Sequence, residues 1–276
     1  RPRTHQPVDR VCRPQQGQGG MKNMALDGAR PENDQDPMAA FRSAVSHDVL
    51  ALALLHNEEL SAEIIAQLKA EEFPRSLQLQ LVSDSGKDAT HLLHEGIELL
   101  DKDADTELLD ELAADYASIY LTHALRASPY ESVWIDEEGL AMQEPMFQIR
   151  AIYKRHGLAA PDWRKRSDDH LVLQLQFVSH LLANDGDLHE TARFLDEHML
   201  RWLPDFGARV AARSATPFYA GLCAFTAAYM DEVRDLLAEI LGEQRPTPEE
   251  IEKRMKPGTT AELPEPGYTP GSAPSW

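Results

Sequence analysis

Two histidine-containing clusters in the sequence have spacings that could support chemistry. In the first, His91 and His94 lie three residues apart, would share one face of a helix, and are followed by Glu95, so their imidazoles could bind a metal ion. The spacing differs from the His-Glu-x-x-His motif of zinc proteases, and the chain has no paired Glu-x-x-His as in di-iron bundles. We therefore interpret this pair as surface or boundary histidines.

The second cluster is Asp168, Asp169 and His170, at the predicted start of a helix. Two carboxylates beside an imidazole could act in acid–base catalysis or bind a metal. Helix capping is the alternative, because an oxygen of Ser167 or Asp168 could accept from free N–H groups and the helix dipole favours acidic residues in the first turn. Capping would explain Asp168 fully and Asp169 in part, but it leaves His170 unexplained.

Other common catalytic motifs are missing. The sequence contains no GxxxxGK[ST], no dinucleotide-binding GxGxxG and no GxSxG nucleophile motif. Cys223 lies in an apolar helical stretch, where a thiol usually serves packing. We therefore predict no catalytic residues, no bound metal and no cofactor.

An aromatic and acidic segment, SPYESVWIDEEGL, interrupts the helical pattern at residues 128–140. Tyr130 and Trp134 could fill the gap between two groups of helices. Together with the neighbouring carboxylates, they would equally suit a peptide that has a basic end and an apolar stretch. The residues themselves leave both alternatives open.

Apolar residues recur at spacings of three and four along most of the chain, which predicts amphipathic helices. Strand-like alternation is confined to SVWI, residues 132–135. We therefore predict an all-α fold, a bundle of about ten helices. Glu144-Pro145 should open one helix, because proline is well tolerated in the first turn.

Composition divides the chain into five segments. The helical pattern predicts an N-terminal group of helices over 38–125 and a C-terminal group over 144–243, joined by the linker 126–143. Residues 1–37 form a predicted disordered leader, and residues 244–276 a Pro/Gly-rich tail that should be disordered after one short helical turn.

Charge and cysteine content limit the possible partners and the compartment. With 27 Lys and Arg against 46 Asp and Glu, the net charge is −19, which disfavours nucleic acids and anionic lipid surfaces. The sequence predicts no stable membrane insertion, since its longest nearly uncharged apolar stretch is too short to cross a bilayer. Only two cysteines occur, which fits a reducing cytoplasm.

Three blocks in order resemble the TorD/DmsD/NarJ family of cytoplasmic chaperones that mature molybdenum-containing redox enzymes. SPYESVWIDEEGL followed by EPMFQIRAIYKRHGL is similar to the family's aromatic loop and its E-P-x(n)-Y helix. DDHLVLQLQFVSHLL resembles its P-D-H-L-G-x-E-L-x-F helix, and FLDEHMLRWLPDFGARVAARSATPFYAGLCAFTA its C-terminal pattern. The resemblance covers residues 40–242. Departures from the family pattern occur at Asp168, Val172 and Gln174.

The resemblance implies a TorD-like fold and a chaperone that is not an enzyme. Its partner would be an apo-molybdoenzyme precursor, bound through its twin-arginine signal peptide, its body or both until the molybdenum cofactor is inserted before export. Such a leader has a cationic region and an apolar region, which require carboxylates beside a hydrophobic groove. Acidic groups would come from Glu131, Asp136, Glu137, Glu138 and Asp169.

The resemblance also implies a set of peptide-binding residues, in which Tyr130, Trp134, Met146 and Phe177 would form apolar walls. The full set comprises Tyr130, Glu131, Ser132, Trp134, Glu144, Met146, Tyr153, Asp169, His170, Gln174 and Phe177. For Trp202 and Phe218 we expect a core role, because aromatic residues at helical spacing are usually buried.

Two alternative functions remain at this stage. One is a NarJ-like assembly chaperone for a catalytic subunit that is not exported, and the other is a metal-dependent helical-bundle enzyme that uses Asp169 and His170. The family is associated with domain-swapped dimers, and a long linker permits swapping. We expect a monomer by default.

Overall fold

The computed structural model describes residues 36–100, 106–184 and 186–256. In these ranges the protein is all helical, as predicted, with eleven α-helices, a π-helical turn (Ala117–Leu121) and a 3₁₀ turn (Met199–Arg201). The helices are α1 (Pro37–Leu55), α2 (Ala62–Ala70), α3 (Asp84–Glu98), α4 (Thr106–Tyr116), α5 (Ser132–Ile135), α6 (Glu144–Arg155), α7 (Leu171–Ala183), α8 (Leu188–Glu197), α9 (Leu203–Ala211), α10 (Pro217–Leu241) and α11 (Pro248–Met255).

Two local predictions need correction. The SVWI segment is the short helix α5 inside the linker rather than a strand, because a bond from the Asp136 N–H to the Ser132 carbonyl closes a helical turn. The segment after residue 243 contains two turns of helix in α11, with Thr247 and Glu250 forming a capping box. Residues 1–35 of the predicted leader and 257–276 of the predicted tail lie outside the described residues.

Helices from the two halves of the chain share one core. Two helices of the N-terminal half pack on helices of the C-terminal half: α1 packs along α7, and α3 packs along α10. α10 also contacts α8 and α9. A single cluster of buried apolar side chains runs through all of these helices. The N-terminal and C-terminal groups therefore describe chain order, while the packing that stabilises the fold is common to both.

Among the described helices, α1 has the length and apolar composition that a membrane-spanning helix would need. Its inner face packs on α7, and Val49 and Leu52 on that face are completely buried. In this structure α1 is therefore a core helix of the bundle.

Glycine permits the close approach of α3 and α10. A methyl group on Gly221 of α10 would lie 2.6 Å from the Cα atom of Leu93 and 2.8 Å from its backbone nitrogen. On the other helix, a methyl group on Gly96 would lie 2.8 Å from the carbonyl oxygen of Pro217. Backbone atoms cannot rotate away from such a contact, so any larger side chain must separate the helices.

A buried histidine connects α1, the π-helical turn and α10. His56 Nε2 lies 2.8 Å from the hydroxyl of Thr226, and that hydroxyl donates to the Leu222 carbonyl, so the histidine nitrogen is the donor. His56 Nδ1 then accepts from the hydroxyl of Tyr120. Burial lowers the pKa of His56 to about 3, so the ring is neutral at physiological pH.

We predict that Gly221→Ala destabilises the protein by about 1 to 3 kcal/mol, because the added methyl group meets the backbone of α3. Alanine is intrinsically the better helix former, so a loss of stability would identify the clash as its cause. Urea unfolding followed by circular dichroism measures the difference. Ala66→Leu, at an exposed position of α2, is the control and should change stability by less than about 0.5 kcal/mol. A Gly221→Ala variant as stable as the parent would contradict the close crossing.

We also predict that acid destabilises the parent protein more steeply than a His56→Gln variant. The unfolded state binds a proton near pH 6.5, whereas the folded state holds His56 neutral down to about pH 3. Stability from the neutral ring is thus complete above pH 6.5 and is lost as the pH falls toward 3, with a slope approaching about 1.4 kcal/mol per pH unit. Equal slopes for the two proteins in urea unfolding between pH 7.5 and 5 would contradict this prediction.

Candidate peptide-binding site at the linker

The linker folds back onto the start of α7. The Leu171 N–H donates to the Pro129 carbonyl at 2.8 Å, and the Glu131 N–H donates to the Asp169 carbonyl at 3.1 Å. These bonds form an isolated antiparallel bridge between Tyr130 and His170. The bridge brings the predicted aromatic loop and the predicted Asp-His pair together in space.

Asp169 fixes α5 through its buried side chain. One carboxylate oxygen accepts from the Ser132 N–H at 2.9 Å and from the Ser132 hydroxyl at 2.6 Å, while the other accepts from the Ser167 hydroxyl at 2.5 Å. The Ser132 hydroxyl also accepts from the Gln143 N–H at 3.2 Å. Asp169 and Ser132 therefore hold together the start of α7, the start of α5 and the end of the linker.

Glu131 is the centre of a second buried network. One of its oxygens lies 3.0 Å from His198 Nδ1, and the other accepts from the Gln174 amide at 2.9 Å. The same amide nitrogen donates to the Asp169 carbonyl at 3.1 Å. An amide can donate to a buried carboxylate and to a carbonyl, whereas a glutamate at this position would repel Glu131. This gives a physical reason for glutamine where the family pattern has glutamate.

His170, not Ser167 or Asp168, is the N-cap of α7, which corrects the predicted capping. Its Nδ1 accepts from the Val172 N–H at 3.1 Å, so the ring proton lies on Nε2. The ring stacks edge to face on Tyr130 with centroids 4.9 Å apart. Burial, with smaller contributions from nearby cationic groups, lowers the pKa of His170 well below its usual value, so the ring is neutral.

Asp168 joins α6 to the start of α7 instead of capping it. One carboxylate oxygen accepts from Arg150 Nε at 3.0 Å and from Arg150 Nη2 at 2.8 Å. The guanidinium carbon also lies 5.8 Å from the ring centre of Phe147 and 5.3 Å from that of Trp163. Sequence proximity could not indicate this pair, because its members are 18 residues apart on different elements.

Trp134 packs in the gap between the linker and α9. Its indole N–H donates to the Ser128 carbonyl at 2.8 Å, and the Arg209 guanidinium lies 4.2 Å from the ring centre. Phe206 and Trp202 complete the aromatic cluster, with centroids 6.4 and 6.5 Å away. Trp202 and Phe218 are fully buried, as expected for core residues.

The structure places most of the predicted peptide-binding residues inside the protein. The buried ones are Glu131, Ser132, Met146, Tyr153, Asp169, His170, Gln174 and Phe177. Tyr130 and Trp134 are partly exposed, and Glu144 is exposed on the first turn of α6. The buried members position the linker, so a ligand could contact only the outer surface that they hold in place.

Two adjoining cavities lie on that outer surface. The smaller, about 370 Å³, is bounded by the end of α5, the start of α6 and Arg201, and Asp136, Glu137 and Glu144 lie on its wall. The larger, about 780 Å³, runs between α6 and α8. Gln148 of α6 lines both cavities, as do the last residues of the α11 segment. We refer to the two together as the linker groove.

Large apolar side chains are exposed in the linker and on α6, and we refer to them as the exposed apolar patch. Leu140 and Met142 in the linker are 48% and 42% exposed, and Phe147 on α6 is 53% exposed. Trp163 joins the patch through Arg150, which contacts both aromatic rings. Contiguous exposed apolar surface is typical of binding sites for other molecules.

The metal hypothesis finds no supporting geometry in the part of the chain that the structure describes. No group of three or more His, Cys, Asp or Glu side chains there is arranged to hold a metal ion. His91 instead lies 3.2 Å from Glu95 at the surface of α3. The side chains of Asp169 and His170 are both engaged in holding backbone or hydroxyl groups.

Sequence reasoning missed several residues that build this region. His198 appears in the third family block but was not assigned to the site, although it contacts Glu131. Arg150 and Arg209, which hold Asp168 and Trp134, carry no local signal because their partners are distant in sequence. The outer acidic residues Asp136 and Glu137 were expected to contribute charge, and they line the groove.

Comparison with known proteins identifies relatives of this chain. Residues 85–208 match the family model described as nitrate reductase delta subunit. The "Chaperone protein TorD" of Vibrio cholerae serotype O1 is 28% identical over 204 residues, which cover 70% of this chain and 91% of that protein. The protein of the same name from Vibrio vulnificus is 27% identical over 179 residues, or 61% and 82% of the two chains.

These relatives are named as chaperones and not as enzymes. The order of the three sequence blocks and the all-helical structure agree with the same assignment. The family-model match and these relatives support the TorD/NarJ family of molybdoenzyme maturation chaperones for this chain.

Proposed function

We propose that the protein binds the twin-arginine signal peptide of an apo-molybdoenzyme in the cytoplasm and holds the precursor for cofactor insertion before export. The observation that carries this proposal is the linker groove, where three carboxylates of the linker and α6 line a cavity and the same two segments also expose large apolar side chains. A cationic segment followed by an apolar one is the chemistry that this surface complements.

Charge favours the cationic part of such a leader. Asp136, Glu137 and Glu144 line the smaller cavity, and Arg201 is the basic residue on its wall outside the α11 segment. Guanidinium groups bind carboxylates in a bidentate manner, so two adjacent arginines could engage two of these acids. The net charge of −19 would add attraction at long range.

The apolar part of the leader would lie along the exposed patch. Leu140, Met142 and Phe147 are each about half exposed and follow the carboxylates along the linker and α6. A methionine side chain adapts to ligands of varied shape, which suits a surface that must accept a variable apolar sequence.

The buried networks would set the affinity indirectly. The Asp136 carboxylate accepts from the Glu138 and Leu140 N–H groups and so shapes the turn after α5. α5 is itself held by the bonds from Ser132 to Asp169. We therefore regard Asp169, Glu131 and Gln174 as positioning residues, and the outer carboxylates and apolar side chains as the contacts.

We predict that the double variant Glu137→Gln/Glu144→Gln binds a twin-arginine leader peptide about three- to tenfold more weakly than the parent, because two exposed ion pairs are lost. The affinity should also depend less on salt. Calorimetry at two salt concentrations measures both effects. Glu138→Gln is the matched control, since this exposed acid neighbours the cavity without lining it. Equal losses in the control and the double variant would contradict the assigned contacts.

We further predict that Asp169→Asn reduces stability by about 2 to 3 kcal/mol, because a buried acceptor of three hydrogen bonds loses its charge and one acceptor oxygen. Backbone amides of 130–136 should then exchange faster with deuterium, and the leader peptide should bind more weakly. Asp110→Asn, at an exposed position of α4, is the control. Weaker binding without faster exchange at 130–136 would point to direct contact with the peptide rather than positioning.

The NarJ-like alternative is favoured by one observation, the match of residues 85–208 to the nitrate reductase delta subunit model. A chaperone of that kind would bind the body of a catalytic subunit without using a cleavable leader. Binding of a precursor from which the leader has been deleted separates the two proposals. Unchanged affinity for the leaderless protein would support the NarJ-like function, and loss of binding would support leader recognition.

We propose a monomer as the working unit. The shared core of α1 with α7 and α3 with α10 would be built within one chain in a monomer and between chains in a domain-swapped dimer. Light scattering at several concentrations distinguishes these states, because a monomer has the mass of a single chain at every concentration.

A further inference from the structure

The C-terminal end of α11 forms part of the wall of the linker groove. α11 contacts α8, and Met255 and the following Lys256 line both of the adjoining cavities. Arg254 also lines the larger cavity. The end of this segment therefore borders the space in which the proposed leader would bind.

α11 is capped by its own residues and packs only lightly on the rest of the protein. Its N-terminus is closed by its own capping box, in which the Thr247 N–H donates to Glu250 at 2.8 Å and the Glu250 N–H donates to the Thr247 hydroxyl at 3.3 Å. None of its residues is buried, and only Ile251 and Met255 are partly covered. These two residues are four apart and share one face. Little apolar area holds the helix in place, so its release would cost little.

The segment that leads to α11 is anchored more firmly than the helix. Arg245 Nη1 lies 2.8 Å from Asp231 and 2.9 Å from Asp235, both on α10. A helix tethered in this way stays near the groove when it detaches, so its effective concentration there remains high.

The chemistry of the α11 end matches that of the proposed ligand. Lys253, Arg254 and Lys256 surround Met255, which combines cationic groups with an apolar side chain. The carboxylates of Asp136, Glu137 and Glu144 line the same smaller cavity. Glu249 and Glu250 make the start of α11 acidic, whereas its end carries Arg254 and Lys256. Glu252 lines the smaller cavity beside Lys256, and its carboxylate lies 3.5 Å from Lys256 Nζ.

We propose that α11 is an internal competitor of the client leader: it closes part of the linker groove through Met255 and Lys256, and the leader displaces it on binding. This inference rests on the proposed function and adds a mode of regulation to the same site. When the groove is free in only a fraction of molecules, the apparent dissociation constant is the intrinsic one divided by that fraction. Displacement would thus keep affinity low for weakly matching peptides and would free the C-terminal segment once a leader is bound.

The test measures the affinity of full-chain variants for one peptide, which has two adjacent arginines followed by an apolar run of about twelve residues. Met255→Asp should release α11 and tighten binding about three- to tenfold. Lys256→Gln should act in the same direction more weakly. Lys253→Gln is the matched control, because it removes the same charge from an exposed position that does not line the groove.

A second readout follows α11 itself. Trypsin should cleave after Lys253 and Arg254 faster when the parent protein is saturated with the peptide, and a peptide with both arginines replaced by glutamine should have a smaller effect. Binding of the peptide with equal affinity to the parent and Met255→Asp, and with unchanged cleavage, would overturn the internal competitor but leave the proposed function intact. Failure of the peptide to bind the parent and all variants would instead contradict the proposed function, and the inference with it.

Discussion

The buried carboxylate of Asp169 is the interaction on which the geometry of the linker depends. It accepts three hydrogen bonds, two from Ser132 and one from Ser167, and no part of it is exposed to solvent. Because the Ser132 hydroxyl also accepts from the Gln143 N–H, this one carboxylate holds the start of α5 close to the residue that precedes α6. An unpaired charge at this depth would be costly, so its donors and the chain segments that carry them are held together.

Under the proposed function, this arrangement would let one surface bind ligands of varied sequence while the fold stays fixed. Buried side chains form the Asp169 and Glu131 networks, in which Asp169 accepts from the Ser132 N–H of the linker and Glu131 contacts His198. Adaptable side chains lie outside, where Met142 and Phe147 are exposed beside Glu144. The groove between α6 and α8 extends this surface, and α11 covers part of it.

Helical periodicity was sufficient to predict the all-α fold and most helix positions, because amphipathic helices leave a direct pattern in the sequence. It could not assign SVWI, since four residues carry too little pattern to separate a strand from a helical turn. Family motifs brought Asp169, His170 and the aromatic loop into one site, and the structure places them together. Their burial could not be predicted, because it depends on partners such as His198 and Arg150 that are distant in sequence.

Hydrogen–deuterium exchange of the full chain, with and without a twin-arginine leader peptide, is the most direct test of leader binding at the linker groove. With the peptide bound, we predict slower exchange in the linker after α5 and along α6, over residues 135–148, and faster exchange in α11. The competing location is the cavity of about 580 Å³ between α1 and the loop 71–78, on another part of the surface. Protection confined to that cavity, with no change at 135–148, would contradict leader binding at the linker groove.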